Sequence, residues 1–337
     1  MEDSTRPPPT DRVAELLKQN ARDEALDVLN TVQQAGEADR KATLRSLRRL
    51  AEEHPETVGD ISPELAPFLT DDERSIRLTT AKLFVAVGEA EPDAVVPVVS
   101  ALADRLADEE EFYYVRARVA EALGYVALDR PGEVSDPGIL ADFRIGLSFD
   151  EPEVKEKLAK ALEYVALGDP GRLQYQVSKL AGHVDDESEL VRYHLCTALV
   201  VIGSEYPEQL ADAADALRER LSDESPYVRG RAAEALAILA QSGVAVGSIP
   251  ALDGDDSSVE DGSPFLSERL AFLRRCLDEG ERSEAAGVEV GTIESVRAST
   301  DDAVEEIITP NGAECSHCGL ALPEEGPPMC PRCGAPR

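Results

Sequence analysis

The spacing of apolar positions reveals a unit that recurs through most of the chain. A branched apolar residue followed by a base appears at Ile76-Arg77, Val115-Arg116, Val154-Lys155, Val191-Arg192 and Val228-Arg229, at intervals of 39, 39, 37 and 37 residues. Arg40, 37 residues before Arg77, continues the series without the apolar neighbour. Four residues after each base stand Leu44, Ala81, Ala120, Ala159, Cys196 and Ala233. Seven after it stand Leu47, Phe84, Leu123, Leu162, Leu199 and Leu236, and eleven after it only alanine or glycine. Offsets of four, seven and eleven form one stripe of an α-helix. Fifteen after the base comes proline in five of the six units, at Pro55, Pro92, Pro131, Pro170 and Pro207, which ends the helix and opens a connection.

A second helix is predicted before each base, over roughly 61–69, 93–106, 138–147, 171–184 and 207–221, so each unit reads as a helical hairpin. An acidic turn joins the two arms, as in Leu69-Thr70-Asp71-Asp72 and Leu221-Ser222-Asp223-Glu224. With the Val-Arg step that follows, these parts resemble the HEAT family, including bilin-lyase-type repeats, over about residues 20–240. The resemblance implies an all-α fold, a HEAT-like α-solenoid of about six helical hairpins. In such repeats each base pairs with the acidic turn five or six residues earlier, Arg77 with Asp71 or Asp72 and Arg229 with Asp223 or Glu224. Residues 11–34 read as two amphipathic helices that cap the array, because a terminal repeat needs a polar outer face. The expected organisation is a capped solenoid over 1–240, a flexible acidic linker over 241–264, accessory helices over 265–310 and a zinc ribbon over 311–337.

Charge changes the picture next. The 337 residues hold 67 acidic and 34 basic side chains, a net charge of −33, and only 7 of the bases are lysine. An acidic, lysine-poor chain resembles the proteins of salt-accumulating archaea, where molar salt screens carboxylate repulsion. The excess is spread along the chain, so it reads as halophilic adaptation. Nucleic acid is not an expected partner, because phosphate binding needs clustered bases. No apolar run is long enough for a membrane span, and a cytoplasmic location is expected.

Four cysteines carry the one chemical motif. Cys315-Ser316-His317-Cys318-Gly319 and Cys330-Pro331-Arg332-Cys333-Gly334 are two knuckles, each placing two thiolates on a tight turn. Glycine after the second cysteine permits the positive φ such a turn needs. The segment resembles zinc-ribbon tails, so Cys315, Cys318, Cys330 and Cys333 are expected to hold one structural Zn2+. Cys196 falls in the small-residue column and reads as core. His194, in a polar column with Thr79, Arg118, Lys157 and Arg231, reads as a solvated residue.

Two extra residues in the turn at 108–114 bring Phe112, Tyr113 and Tyr114 together, in a chain with 4% aromatics. They are candidate protein-binding residues or, equally, a cluster packed between repeats. No P-loop, G-x-G-x-x-G, H-E-x-x-H or G-x-S-x-G motif occurs. A non-catalytic scaffold or adaptor for other proteins is therefore expected. The resemblance to haloarchaeal repeat proteins extends this to signal transduction, namely taxis between response regulator and archaellum motor. The alternatives are a bilin-lyase-like enzyme and a zinc-ribbon protein in a nucleic-acid-linked complex.

Overall fold

A stripe of Leu, Phe, Val and Ala repeated every three or four residues can be buried only as a helix, and every such stripe here forms one. The computed structural model describes residues 9–247, 263–279 and 290–308. Within them the chain is helical and contains no strand. The cysteines at 315, 318, 330 and 333 and the linker residues 248–262 lie outside the described residues. The chain divides into two compact units, Met1–Gly168 and Asp169–Arg337.

The first unit opens with α1 (Arg12–Lys18) and α2 (Arg22–Gln33), separated by Asn20 in the left-handed region at φ 57°, which asparagine tolerates better than most residues. Then follow α3 (Glu37–Glu53), α4 (Pro55–Gly59), α5 (Ser62–Leu65), α6 (Arg74–Ala90), α7 (Pro92–Val95), α8 (Val99–Ala107), α9 (Tyr113–Asp129), α10 (Pro137–Ile145) and α11 (Pro152–Gly168). The second unit holds α12 (Val177–Ala181), α13 (Glu189–Glu205), α14 (Ala214–Arg220), α15 (Pro226–Gln241), α16 (Pro264–Glu279) and α17 (Ile293–Ile308). In the first unit the long helices α3, α6, α9 and α11 pack side by side in sequence order. In the second, α13 packs on α15 and α15 on α16. Leu44, Leu47, Phe84, Leu123, Leu162, Leu199 and Leu236 are all buried at 1% exposure or less. Close packing of the long helices needs small residues: a Cβ on Gly124 of α9 would stand 3.0 Å from Ala161 Cα of α11.

The first arms depart from the six simple hairpins expected. Each is broken into short α and 3-10 segments, such as α5 followed by 3-10 residues Ala66–Thr70, or α7 and Val96–Val98 followed by α8. Pro63, Pro67 and Pro97 lie inside these arms, and each removes a backbone donor that a continuous helix would use. The proline fifteen residues after the base also does more than stop a helix. It stands at the first position of the next arm, at Pro55, Pro92, Pro131, Pro170 and Pro207. The residue before it leaves the helical region in every case, with φ between −157° at Asp169 and −126° at Tyr206, because the proline ring disfavours helical backbone there. The repeat register also runs one element further than the sequence pattern: α16 lies along α15 as α11 lies along α9.

The base column forms a ladder, though not the one expected. Arg77 Nη1 donates to the backbone carbonyls of Asp71 and Asp72 at 2.7 and 3.1 Å. Arg192 meets the carbonyls of Asp186 and Glu187 in the same way, and Arg229 those of Asp223 and Glu224. The carboxylate comes from the turn of the following repeat instead: Arg40 pairs with Asp71 at 2.7 Å, Arg77 with Glu111 at 2.6 Å and Arg192 with Asp223 at 2.9 Å. Asp71 and Asp223 each serve twice, since they also accept from the backbone N–H two residues on, in Glu73 and Ser225. In the turn with two extra residues the jobs are split. Asp108 accepts from the Glu110 N–H, and Glu111, fully buried, takes the base.

That division generates a prediction. Asp223→Ala removes the turn bond and leaves Arg192 buried without its main partner, an effect of about 3–5 kcal/mol. Asp108→Ala removes a turn hydrogen bond and a partly exposed ion pair with Arg105, together about 1–2 kcal/mol. Denaturant unfolding of the two variants should separate them clearly; equal losses would contradict the split.

Candidate protein-binding surface

With the apolar stripe turned inward, each long helix presents the positions two, five and nine residues after the base to a second face. On α9 and α11 this face carries Arg118, Glu121 and Tyr125, then Lys157, Lys160 and Tyr164. Arg118 Nη1 donates to Glu121 at 2.8 Å, and its Nη2 to Glu153 at 3.0 Å. Lys157 Nζ reaches Glu121 at 2.8 Å. Lys160 donates to the Tyr125 hydroxyl at 3.2 Å and lies over the Tyr125 and Tyr164 rings. Burial opposes the Glu121 carboxylate, but Lys157, Arg118 and Lys160 outweigh it and hold its pKa far below the ordinary range. Burial pushes the Lys157 ammonium down, against the pull of Glu121.

The second unit repeats the motif. Arg118-Val-Ala-Glu121-Ala-Leu in α9 and Arg231-Ala-Ala-Glu234-Ala-Leu in α15 occupy the same two columns. Arg231, fully buried, donates to Glu234 at 2.8 Å and to the Tyr193 hydroxyl at 3.1 Å. Arg269 of α16 meets Glu234 at 3.0 Å, the part Lys157 plays for Glu121. Burial disfavours the Glu234 carboxylate, yet Arg231 and Arg269 bring its pKa down.

One difference follows. Helix α17 lies on this face of α13, and Arg231 Nη2 donates to Ser299 and Thr300 on it, at 3.1 and 3.2 Å. Tyr227 of α15 is bonded to Glu306 at its far end. The second-unit face therefore already holds a helix. This corrects the expectation for His194: it is 3% exposed, because α17 packs on the helix that carries it. Cys196 is fully buried, and burial pushes its thiol pKa up to about 12, which leaves it unreactive.

Phe112, Tyr113 and Tyr114 are half-buried, with ring centroids 4.6–5.3 Å apart, and the Arg74 guanidinium lies 4.3 Å from the Phe112 centroid. Among the described residues the large exposed apolar side chains lie elsewhere, at Ile145, Tyr175 and Leu277. Among the described residues no group of three or more His, Cys, Asp or Glu side chains is arranged to hold a metal, and no helix is long and apolar enough to cross a membrane. The apolar and small-residue columns concealed the Arg-x-Ala-Glu-Ala-Leu pairs from sequence reasoning. Their recurrence at identical offsets in two units was the available signal.

Residues 177–254 match the family model for HEAT repeats. A search of curated proteins found no match. Among solved structures, an engineered protein from a structural genomics consortium aligns at TM-score 0.62 and 17% identity, covering 92% of this chain and 83% of its own. A second engineered protein aligns at TM-score 0.57 and 19% identity, covering 67% and 99%. A designed armadillo repeat protein in complex with the peptide (KR)4 aligns at TM-score 0.54 and 18% identity, covering 64% and 99%. At these identities the likeness shows the fold: this is a helical-repeat protein, HEAT-type over the matched span.

Glu121→Gln tests the buried network. Arg118, Lys157 and Lys160 would share no central anion, and unfolding free energy should fall by about 3–5 kcal/mol. The folded pKa of Glu121 is lowered, so its contribution is complete above the ordinary value of 4.5 and declines as the pH falls towards the depressed one. Urea titrations of wild type and variant should therefore differ at neutral pH and converge in acid.

Proposed function

We propose that this protein is a non-catalytic scaffold that binds segments of other proteins on the face of its long helices. The observation that carries this is the seat of α17: the face formed by α13 and α15 holds a helix through buried arginine–hydroxyl bonds and packing. A helix-in-groove contact of that kind is a recurring mode of peptide recognition. The designed armadillo protein in complex with (KR)4 shows that a helical-repeat fold can carry a peptide. Phe112, Tyr113 and Tyr114 would give a partner aromatic contact at the inserted turn. The narrower setting we propose is a cytoplasmic signalling adaptor in a salt-accumulating archaeon, with taxis as the pathway that the family resemblance implies.

We also propose that Cys315, Cys318, Cys330 and Cys333 bind one structural zinc ion. So short a segment cannot bury enough surface to fold alone, so the metal would supply its folding free energy, on the order of 10–16 kcal/mol. Cys330→Ser should abolish stoichiometric zinc by elemental analysis, and Cys196→Ser should not. A full zinc equivalent in Cys330→Ser, or a metal-free wild type under reducing conditions, would remove the assignment.

For the scaffold reading, a photo-crosslinking amino acid at Thr79, on the long-helix face, is compared with one at Ile145, exposed on a first arm. Adducts with partner proteins should form in cells from position 79 and not from position 145. The reverse pattern, or equal yields, would refute the reading.

A further inference from the structure

The polar face of the first unit is not satisfied alike along its length. On α9 and α11 the three bases of this face, Arg118, Lys157 and Lys160, meet carboxylates from the chain itself, Glu121 and Glu153. In the same columns on α3 and α6 the chain places Arg45 and Lys82 where α9 and α15 carry Glu121 and Glu234. Arg48 and Arg49 stand beside them, and with Glu52, Leu78 and Thr79 the four bases line a cleft of about 300 Å³ between the two helices. Arg45 and Arg49 are exposed and have no carboxylate partner among the described residues. They are four residues apart on one helix, a like-charge spacing that disfavours the helix by itself. Glu52 is the one carboxylate in the lining, and it lies 3.5 Å from Arg48 Nε. The buried Arg48 Nε has no hydrogen bond among the described residues.

In a protein with two acidic residues for nearly every basic one, this is a local reversal of sign. Nothing in the core needs it, because the burial of Leu44, Leu47 and Phe84 accounts for the packing of α3 on α6. We infer that the cleft between α3 and α6 is a docking site for an acidic peptide segment of a partner protein, whose Asp and Glu side chains supply the carboxylates that α9 and α15 provide internally. Arg45 and Arg49 engage the carboxylates at the rim. Lys82 and Arg48 add positive charge to the lining, which Leu78 and Thr79 complete. Guanidinium groups suit this task because each can hold a carboxylate with two parallel hydrogen bonds. The acidic excess of the chain as a whole disfavours acidic segments elsewhere, so the cleft also sets where they bind.

The inference rests on the scaffold reading and deepens it by naming the partner chemistry. It is tested on the full chain by fluorescence anisotropy with a labelled (Asp-Glu)5 peptide across a potassium chloride series. The wild type should give saturable binding that weakens as salt rises. Arg45→Glu with Arg49→Glu should weaken binding at least tenfold, Arg45→Lys with Arg49→Lys should retain most of it, and Lys179→Glu, an exposed base in the other unit, should stay within twofold. Circular dichroism should show unchanged helix content for all three, since the altered side chains are exposed. No saturable binding by the wild type, or equal binding by the Arg45→Glu/Arg49→Glu variant, would overturn the inference. So would tighter binding of a labelled oligothymidylate that the same substitutions abolish, which would make the cleft a nucleic-acid site. Crosslinks at position 79 without any acidic-peptide binding would keep the scaffold and remove only the charge assignment.

Discussion

Everything else in this molecule depends on one contact, the arginine that ties an acidic turn to its neighbour. At Arg77 and Arg192 one nitrogen caps the carbonyls at the end of the arm just completed, and others hold a carboxylate from the turn of the next repeat. Such a bond has a fixed reach, so it sets the stagger between successive long helices. Partial burial raises its cost of being wrong. An arginine left there without its carboxylate is an uncompensated charge, and a slipped register would leave several. The extra residues at 108–114 are tolerated because Glu111 takes over the pairing that Asp71 and Asp223 perform elsewhere.

Once the stagger is set, the columns two, five and nine residues past the base line up across helices, and their chemistry becomes the surface chemistry. On α9 with α11, and on α15 with α16, that chemistry is closed: Glu121 and Glu234 sit at the centre of buried arginine and lysine. A closed network rigidifies its helices, and on α15 Arg231 keeps donors over for Ser299 and Thr300 of α17. On α3 with α6 the columns are positive, and Arg45 and Arg49 have no carboxylate partner among the described residues. Within the first unit the face thus passes from a receptive stretch on α3 and α6 to a self-satisfied one on α9 and α11.

The long helices were legible in the sequence because burial acts on a period: Leu47, Phe84, Leu123, Leu162, Leu199 and Leu236 recur with little exception. The first arms were legible in extent but not in form, because Pro67 and Pro97 break them at places the apolar pattern does not mark. The partner of each base was misassigned for a related reason. Sequence places Asp71 six residues before Arg77, but the structure aims its carboxylate backward at Arg40, and only its carbonyl meets Arg77. His194 read as solvated because nothing near it in sequence announces α17, about a hundred residues on. Contacts within one repeat, such as Arg77 with its own turn, could be inferred; those that reach the next repeat or a distant helix could not.

The central claim is that the long-helix face receives chain segments, and hydrogen exchange tests it most directly. An isolated helix of 16 residues is marginal in water, so protection in α17 reports its docking. The account predicts that amides of residues 296–308 are protected in the wild type. In Arg231→Ala, which removes the bonds to Ser299 and Thr300, they should lose that protection while α9 and α11 keep theirs. Exchange of α17 at the rate of a free peptide in the wild type would contradict it.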